Sequence, residues 1–181
     1  MKNFNQYITE KIKLSNDRFK DGVFEYFPND KYELMHIVHE RIKTEGCDVD
    51  LNNIDTSKIT SMHGIFTGTN FAGDVSKWDV SNVTDFQSMF ENCKNFNCDL
   101  SKWEVTSKAT NMSCMFYGCE KFNRNISHWD VSNVKYFNYM FCECYDFNQD
   151  LSKWKLSSAI KYIQMFADCP IDNKYKPAGI N

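Results

Sequence analysis

The chain has 181 residues, 42% of them hydrophobic and 15% aromatic, and its formal net charge at pH 7 is −3, which suits one small domain with a single core. Residues 47–169 carry eleven basic and fifteen acidic side chains, and this balance argues against nucleic acid as a partner, because a nucleic-acid groove needs clustered Lys and Arg. No apolar run approaches the ~20 residues of a membrane span, so no membrane insertion is expected.

Residues 1–49 are predicted to form an N-terminal extension and a capping helix. Asp30 is placed to cap that helix, with Glu33 three residues later, and Gly46 is placed to end it. Apolar side chains at helical spacing form one stripe, namely Leu34, Ile37, Val38 and Ile42. His36 and His39 fall opposite this stripe, and we expect them on a solvated face and not in a metal site.

The amino-terminal segment also bears on location. It contains scattered apolar side chains but no uninterrupted apolar signal segment, and the scattered ones are Phe4, Tyr7, Ile8 and Ile12. We expect these side chains to pack beside the capping helix. If the chain starts here, its location is predicted to be cytoplasmic.

A tryptophan recurs after the helix at intervals of 25, 26 and 25 residues, at Trp78, Trp103, Trp129 and Trp154. Each follows an Asp/Asn-Val/Leu/Ile-Ser-Lys/His run, and a weaker earlier copy has Ile54 in its place. A period in this range is typical of a solenoid, whose coils bury their apolar faces against one another. We therefore predict about five coils, near residues 50–73, 74–98, 99–124, 125–149 and 150–169.

Each coil is predicted to contain a strand and a helical turn. Residues 77–80 alternate polar and apolar side chains, which indicates a short strand with its Trp and Val facing inward. Residues 88–93 are long enough for one helical turn. We expect the recurring Asn97, Asn123 and Asn148 to form an internal ladder that satisfies backbone groups.

Eight cysteines include a column at the same repeat position, formed by Cys93, Cys119, Cys144 and Cys169. Coils about 4.8 Å apart place parallel thiols slightly beyond the ~3.5–4.5 Å that a disulfide requires between Cβ atoms. A column also spreads the sulfurs too far for one zinc ion. We expect buried free thiols that pack as small apolar side chains, and neither a metal nor a cofactor.

Residues 170–181 form a predicted C-terminal tail that is short and polar. Stacked repeats leave an exposed edge where a cap is missing, and such edges recruit other chains. We expect weak self-association through the C-terminal coil, or a partner bound there. The alternative is that Tyr175 and Ile180 fold back as a minimal lid.

The run Trp-Asp-Val-Ser-Asn-Val at 78–83 and 129–134, followed by Met-Phe and Phe-Asn, resembles the BspA-like leucine-rich-repeat proteins of bacteria. The resemblance covers about residues 30–169. It implies a right-handed leucine-rich-repeat-like solenoid, so the predicted fold class is an α/β-type repeat solenoid with an N-terminal helical cap. It also implies binding to other macromolecules, as in bacterial surface proteins that adhere to host proteins, and no catalytic residues.

Three classes of function remain. We favour a non-catalytic protein–protein interaction module, with a structural or self-assembly protein as the alternative, because a solenoid offers a wide rigid surface. An enzyme is the least favoured, since no nucleophile, phosphate loop or histidine arrangement can be assembled and no catalytic residue is assigned. The columns that vary most between coils predict the partner-binding residues, which are Lys135, Tyr136, Asn138, Tyr139, Lys161 and Ile163.

Overall fold

The computed structural model describes residues 24–156 and 158–180. The one α-helix among them, α1, spans Lys31–Glu45, and a 3-10 helix spans Asn173–Tyr175. The described residues otherwise form turns, with six isolated parallel bridges and no sheet. The apolar residues expected to pack beside the helix, Phe4 to Ile12, lie outside the described residues.

Helix α1 begins and ends where the sequence predicts. The carboxylate of Asp30 accepts hydrogen bonds from the backbone N–H groups of Tyr32 and Glu33, at 2.8 and 3.0 Å. Glu33 reaches back one residue further than in a capping box, because its Oε2 accepts from the backbone and side-chain nitrogens of Asn29. Gly46 ends the helix with φ at 98° and donates its N–H to the Ile42 carbonyl.

The helix covers the first repeat, residues 50–73. Leu34, Ile37 and Val38 are buried in the common core. On the opposite side His39 is exposed, as predicted for a solvated face, although its Nε2 lies 3.0 Å from the Ile65 carbonyl oxygen. The prediction of a solvated face is wrong for His36, which is half-buried. Nε2 of His36 is buried without a hydrogen-bond partner in the described structure. The helix therefore meets the repeats through polar as well as apolar contacts.

Each repeat is a succession of tight turns. In the second repeat, backbone N–H groups donate to the carbonyl three residues earlier at Trp78, Val83, Met89, Glu91, Cys93 and Phe96. Two positions have left-handed backbone in every repeat, with φ between 49° and 72°, and Asn70 adds a third in the first repeat. The first column is Gly64, Ser88, Cys114, Tyr139 and Gln164, and the second is Gly68, Asn92, Gly118, Glu143 and Asp168.

These turns overturn the predicted fold class. The α/β-type, right-handed leucine-rich-repeat-like solenoid of about five coils is wrong, because the described residues have one α-helix and almost no strand. Residues 77–80 form no strand, although Trp78 and Val80 are buried between exposed neighbours as expected. The predicted helical turn over 88–93 is interrupted by left-handed residues at both Ser88 and Asn92, which an α-helix of L-residues excludes.

Backbone hydrogen bonds join each repeat to the next without forming a ladder. The N–H groups of Met62, Gly64, Phe66 and Gly68 donate to carbonyls of the second repeat at 2.8–3.3 Å. The same four positions donate forward in the second, third and fourth repeats. In the opposite direction Thr84 donates to Thr60, and its counterparts repeat that bond. The bonds connect turns with turns, so each bridge remains isolated.

Polar side chains satisfy further backbone groups between repeats. The predicted asparagine ladder forms, since Oδ1 of Asn97 accepts from the N–H of Asn123, and Oδ1 of Asn123 accepts from that of Asn148, both at 3.1 Å. The prediction that this ladder is internal is wrong, because Asn123 and Asn148 are exposed. Asn148 in turn accepts from Asp172 in the tail. At the start of each repeat an Asp or Asn side chain accepts from the Ser N–H two residues later. In the third repeat hydrogen bonds from Ser101 lower the pKa of Asp99.

The core is filled by stacked aromatic rings. One column, formed by Phe66, Phe90, Phe116, Phe141 and Phe166, has ring centroids 5.1–5.8 Å apart. A second column of Phe71, Phe96, Phe122 and Phe147 has spacings of 5.8–6.0 Å. Rings of the two columns also stack within a repeat, as at Phe90 and Phe96, 3.9 Å apart. Offset stacking of this kind adds to the free energy of burying each ring.

The four tryptophans are interior, as predicted, with at most 4% of each exposed. Their indole nitrogens differ, however. Nε1 of Trp103 donates to the Val75 carbonyl at 2.9 Å, whereas Nε1 of Trp129 is buried without a partner in the described structure. The centroids of these two stacked rings lie 6.2 Å apart, so substitutions at the two positions can be compared directly.

We expect Trp103→Phe to lower the free energy of unfolding by at least about 1 kcal/mol more than Trp129→Phe. Both substitutions remove similar volume from the core, but only the first removes an indole hydrogen bond, the one to the Val75 carbonyl, which keeps the N–H of Trp78 as its other donor. Only the second removes a buried unpaired N–H. Urea unfolding of the two variants measures the difference. Equal losses, or a larger loss for Trp129→Phe, would contradict this account of the indole nitrogens.

The column cysteines form hydrogen bonds as well as packing in the core. The thiols of Cys93, Cys119 and Cys144 donate to phenylalanine carbonyls of the preceding repeat at 2.9–3.3 Å. All eight cysteines are free thiols. Burial raises the pKa of Cys93 to about 12, and it raises the pKa values of Cys119 and Cys144 well above 9.0.

The raised pKa values of these thiols predict that the protein loses stability at alkaline pH. The unfolded chain loses its thiol protons near their ordinary pKa of about 8.5, while the folded chain retains them. The stabilising contribution is therefore complete below that pH and falls as the pH rises toward the folded pKa. We expect Cys119→Ala to lose about 1.9 kcal/mol less unfolding free energy than the unsubstituted protein between about pH 8 and pH 10. Identical losses in urea unfolding would show that this thiol ionises equally in both states.

Candidate functional site

The six predicted partner-binding residues lie together on the fourth and fifth repeats. We name this surface the carboxyl-terminal strip, and it consists of Lys135, Tyr136, Asn138, Tyr139, Lys161 and Ile163. Tyr136 and Lys161 form a parallel bridge. The N–H of Tyr139 donates to the Ile163 carbonyl at 2.9 Å. The structure thus brings all six residues to neighbouring positions of two adjacent repeats.

Backbone and side-chain hydrogen bonds fix the shape of the strip. The Lys135 carbonyl accepts from the N–H groups of Ile160 and Lys161, at 2.8 and 3.1 Å. Oδ1 of Asn138 accepts from the N–H of Ile163 at 3.0 Å. The amide of Asn138 is therefore half-buried and engaged within the protein, so it supports the strip more than it offers a contact surface.

The strip is rich in exposed large side chains. Tyr136 is 37% exposed, Tyr139 36% and Ile163 56%. Lys135 and Lys161 are exposed beside them. The equivalent positions of the earlier repeats carry smaller or polar side chains. The equivalents of Tyr136 are Ser61, Asp85 and Asn111, and those of Ile163 are His63, Gln87 and Ser113. Apolar contact area is therefore concentrated at the carboxyl end.

Two further residues belong to this surface and were not assigned to it from the sequence. Ile160 is 63% exposed and Tyr162 is 45% exposed. Tyr162 occupies a core column, and its counterparts Phe86, Met112 and Phe137 are buried completely. The one signal in the sequence is a tyrosine at a position that otherwise carries Met or Phe. Its exposure arises because no further repeat covers it.

The tail closes only part of the last repeat. Ile171 is buried, and the Tyr175 carbonyl accepts from the N–H of Leu151 at 2.8 Å. Asp172 extends the asparagine ladder by one step. Tyr175 packs against the core, and Ile180 lines the edge of a groove over the last repeat. The alternative prediction of a minimal lid therefore describes one side of this end.

The described residues present neither a metal centre nor a membrane span. Among them, no group of three or more His, Cys, Asp or Glu side chains is arranged to hold a metal ion. Helix α1 has neither the length nor the apolar character to cross a bilayer. His63 Nδ1 lies 4.0 Å from Oδ2 of Asp85, on a surface that is partly exposed.

Tyr139 offers a substitution that separates surface from fold. Its φ of 57° is a left-handed conformation that costs a non-glycine residue about 1–2 kcal/mol. We expect Tyr139→Gly to unfold with a free energy equal to or above that of the unsubstituted protein, because glycine adopts this conformation freely. Tyr136→Gly should lose about 1 kcal/mol or more, since Tyr136 has no such strain. Chemical denaturation of both variants checks this order, and the reverse order would contradict it.

Comparison with known proteins gives one family and no characterised relative. The family model described as Mycoplasma protein of unknown function, DUF285, matches residues 35–108 and again residues 105–175. No curated protein matches the chain, and no solved structure matches it. The resemblance to BspA-like leucine-rich-repeat proteins is wrong, because the match is to this distinct family and no leucine-rich-repeat family matches. The repeated core positions carry mainly Trp, Met and Phe, not Leu.

Proposed function

This chain belongs to the family described as Mycoplasma protein of unknown function, DUF285, and we propose that it is a non-catalytic module that binds another protein through the carboxyl-terminal strip. The observation that carries the proposal is the concentration of exposed Tyr136, Tyr139 and Ile163 on adjacent repeats. Tyrosines and large apolar side chains supply most of the binding energy at protein interfaces. The predicted cytoplasmic location and the absence of catalysis remain predictions.

The rigidity of the strip favours binding. Its backbone is held by hydrogen bonds of 2.8–3.1 Å to the neighbouring repeat. A partner therefore has few residues to order on binding, which reduces the entropic cost of association. Lys135 and Lys161 flank the apolar side chains and give the strip a positive rim, so a partner with acidic groups around an apolar patch fits best.

A structural or self-assembly role is the second candidate. The observation that favours it is the incompletely covered last repeat, where Ile160 and Tyr162 are exposed. Such an end can join other chains. The two candidates differ in what binds, because self-assembly requires a second copy of this chain whereas the interaction module requires a different protein.

The experiment is affinity capture from the source cells with the protein as bait and a matched set of variants. The double variant Tyr136→Ala with Ile163→Ser removes apolar contact from the strip. Tyr145→Ala is the control, since Tyr145 is 52% exposed but lies outside the strip. We expect the partner to bind the control as it binds the unsubstituted protein, and the double variant at least about tenfold more weakly, as for loss of interface hot spots.

Two results would contradict the proposal. One is capture of the same partner by the double variant and the control with equal affinity, measured on purified components. The other is recovery of this chain alone, with a sedimentation coefficient that rises with concentration, which would favour self-assembly instead.

A further inference from the structure

The last repeat has four backbone donors whose counterparts are all occupied in the earlier repeats. In the fourth repeat the N–H groups of Phe137, Tyr139, Phe141 and Glu143 donate at 2.8–2.9 Å to the carbonyls of Lys161, Ile163, Met165 and Ala167. In the fifth repeat the corresponding donors are Tyr162, Gln164, Phe166 and Asp168. None of these four N–H groups has an acceptor among the described residues.

Three of these donor residues, Tyr162, Gln164 and Phe166, line a groove, and Asp168 directly follows its lining residue Ala167. The groove has a volume of about 420 Å³, and its walls include Tyr162, Gln164 and Phe166 from the last repeat, with Lys176 and Ile180 from the tail. The tail covers the side of the repeat near Leu151, where the Tyr175 carbonyl accepts a hydrogen bond. It leaves the side with the four donors uncovered. The groove therefore combines a row of backbone donors with aromatic and apolar walls.

A second copy of the same end cannot fill the groove. The end presents donors at alternate residues from 162 to 168, and two such rows face each other without acceptors. The matching carbonyls belong to the first repeat, where α1 is already packed and His39 occupies the Ile65 oxygen. The occupant with free carbonyl groups is therefore assigned to a different chain.

The charge of the groove restricts the kind of segment that can bind there. Lys176 lines the groove and Lys161 is exposed at its edge, while Asp168 supplies the one carboxylate among the four donor residues and the lining residues, so the lysines outnumber the carboxylates there. The chain itself shows which segments satisfy such donors, because residues 85–91, 111–117, 136–142 and 161–167 supply the carbonyls for the four preceding repeats, and each contains a Met-Phe pair. Among these four, residues 85–91, Asp-Phe-Gln-Ser-Met-Phe-Glu, alone carry carboxylates, and so they suit Lys161 and Lys176 best. That segment has an acidic residue at each end and Phe or Met between them.

We infer that this groove binds an acidic peptide segment of another protein, with large apolar residues between its carboxylates. The segment adds to the last repeat as a further repeat would. The backbone carbonyls of the segment accept from Tyr162, Gln164, Phe166 and Asp168, and its carboxylates lie near Lys161 and Lys176. Main-chain hydrogen bonds to an open edge supply affinity, and side-chain pockets supply specificity. The inference rests on the proposed protein-binding function and names the chemistry of the partner.

The test uses a labelled synthetic peptide that copies residues 84–92 and a control peptide in which Asp85 and Glu91 are replaced by Lys. Amide hydrogen exchange of the protein is followed by NMR with and without each peptide. We expect the acidic peptide to slow exchange at Tyr162, Gln164, Phe166 and Asp168 at least about tenfold, as newly formed hydrogen bonds protect amides. The amide of Ile163, already bonded to Asn138, is the internal control and should not change.

Binding is then measured by fluorescence anisotropy. The lysine peptide should bind at least about tenfold more weakly, and so should the acidic peptide to the variant Lys176→Glu, because like charges then meet in the groove. Lys176→Gln should fall between the two, and thermal unfolding verifies that both variants are folded. Rising salt should weaken the acidic peptide's affinity.

Several outcomes overturn the inference. If both peptides bind equally, charge does not select the occupant. If exchange at the four amides does not change, the peptide does not form the proposed backbone hydrogen bonds. Protection that grows with protein concentration without peptide shows that a second copy fills the groove. If peptide binding fails while Tyr136→Ala still abolishes capture of a cellular partner, this inference fails and the proposed function stands. If the peptide binds and Tyr136→Ala changes no capture, the strip is wrong and the groove remains.

Discussion

Stacking of phenylalanine rings from one repeat to the next is the interaction on which this structure depends. The rings of Phe66, Phe90 and Phe116 follow one another at 5.1 and 5.8 Å. Offset rings at this spacing hold successive backbones close to the ~4.8 Å at which N–H and C=O groups of neighbouring chains can bond. A repeat of tight turns has little regular backbone structure of its own. Its apolar face is buried only by its neighbours, so the stack is stable as a whole and not repeat by repeat.

Because no sheet forms among the described residues, polar side chains satisfy many backbone groups, exposed as well as buried. Asn97 and Asn123 accept backbone N–H groups across repeats. The thiols of Cys119 and Cys144 donate to carbonyls that a sheet would otherwise satisfy. A buried polar group without a partner costs more than a hydrogen bond contributes. These small polar side chains are therefore as much a part of the framework as the aromatic rings.

The two ends of the stack differ in how completely they are covered. Helix α1 covers the first repeat, where His39 meets the Ile65 carbonyl. The tail covers the last repeat on one side only, through Ile171 and Tyr175. Four of the recurring backbone hydrogen bonds between repeats donate forward and one donates backward, so the uncovered end presents mainly N–H groups. The exposed aromatic and basic side chains lie at that same end, and the proposed binding function rests on this coincidence.

The sequence by itself determined much of the burial pattern. The alternation around Trp78 placed that ring in the core, and the spacing of Asn97 and Asn123 predicted their ladder. Asp30 and Gly46 marked the ends of α1, because capping depends on side chains close in the chain. It also placed Tyr136 and Ile163 in adjacent columns, since the repeat period carries that information.

Only the tertiary structure decided the backbone conformation of the repeats and the exposure of their last copy. Alternation of polar and apolar residues at 77–80 suits a strand, but it suits a chain of turns equally well, because both place every second side chain inward. The left-handed residues Ser88 and Asn92, neither of them glycine, could not be identified from residue type. Tyr162 is exposed for a reason that no local pattern contains: its burial depends on a neighbouring repeat, and at the end of the stack that neighbour is missing.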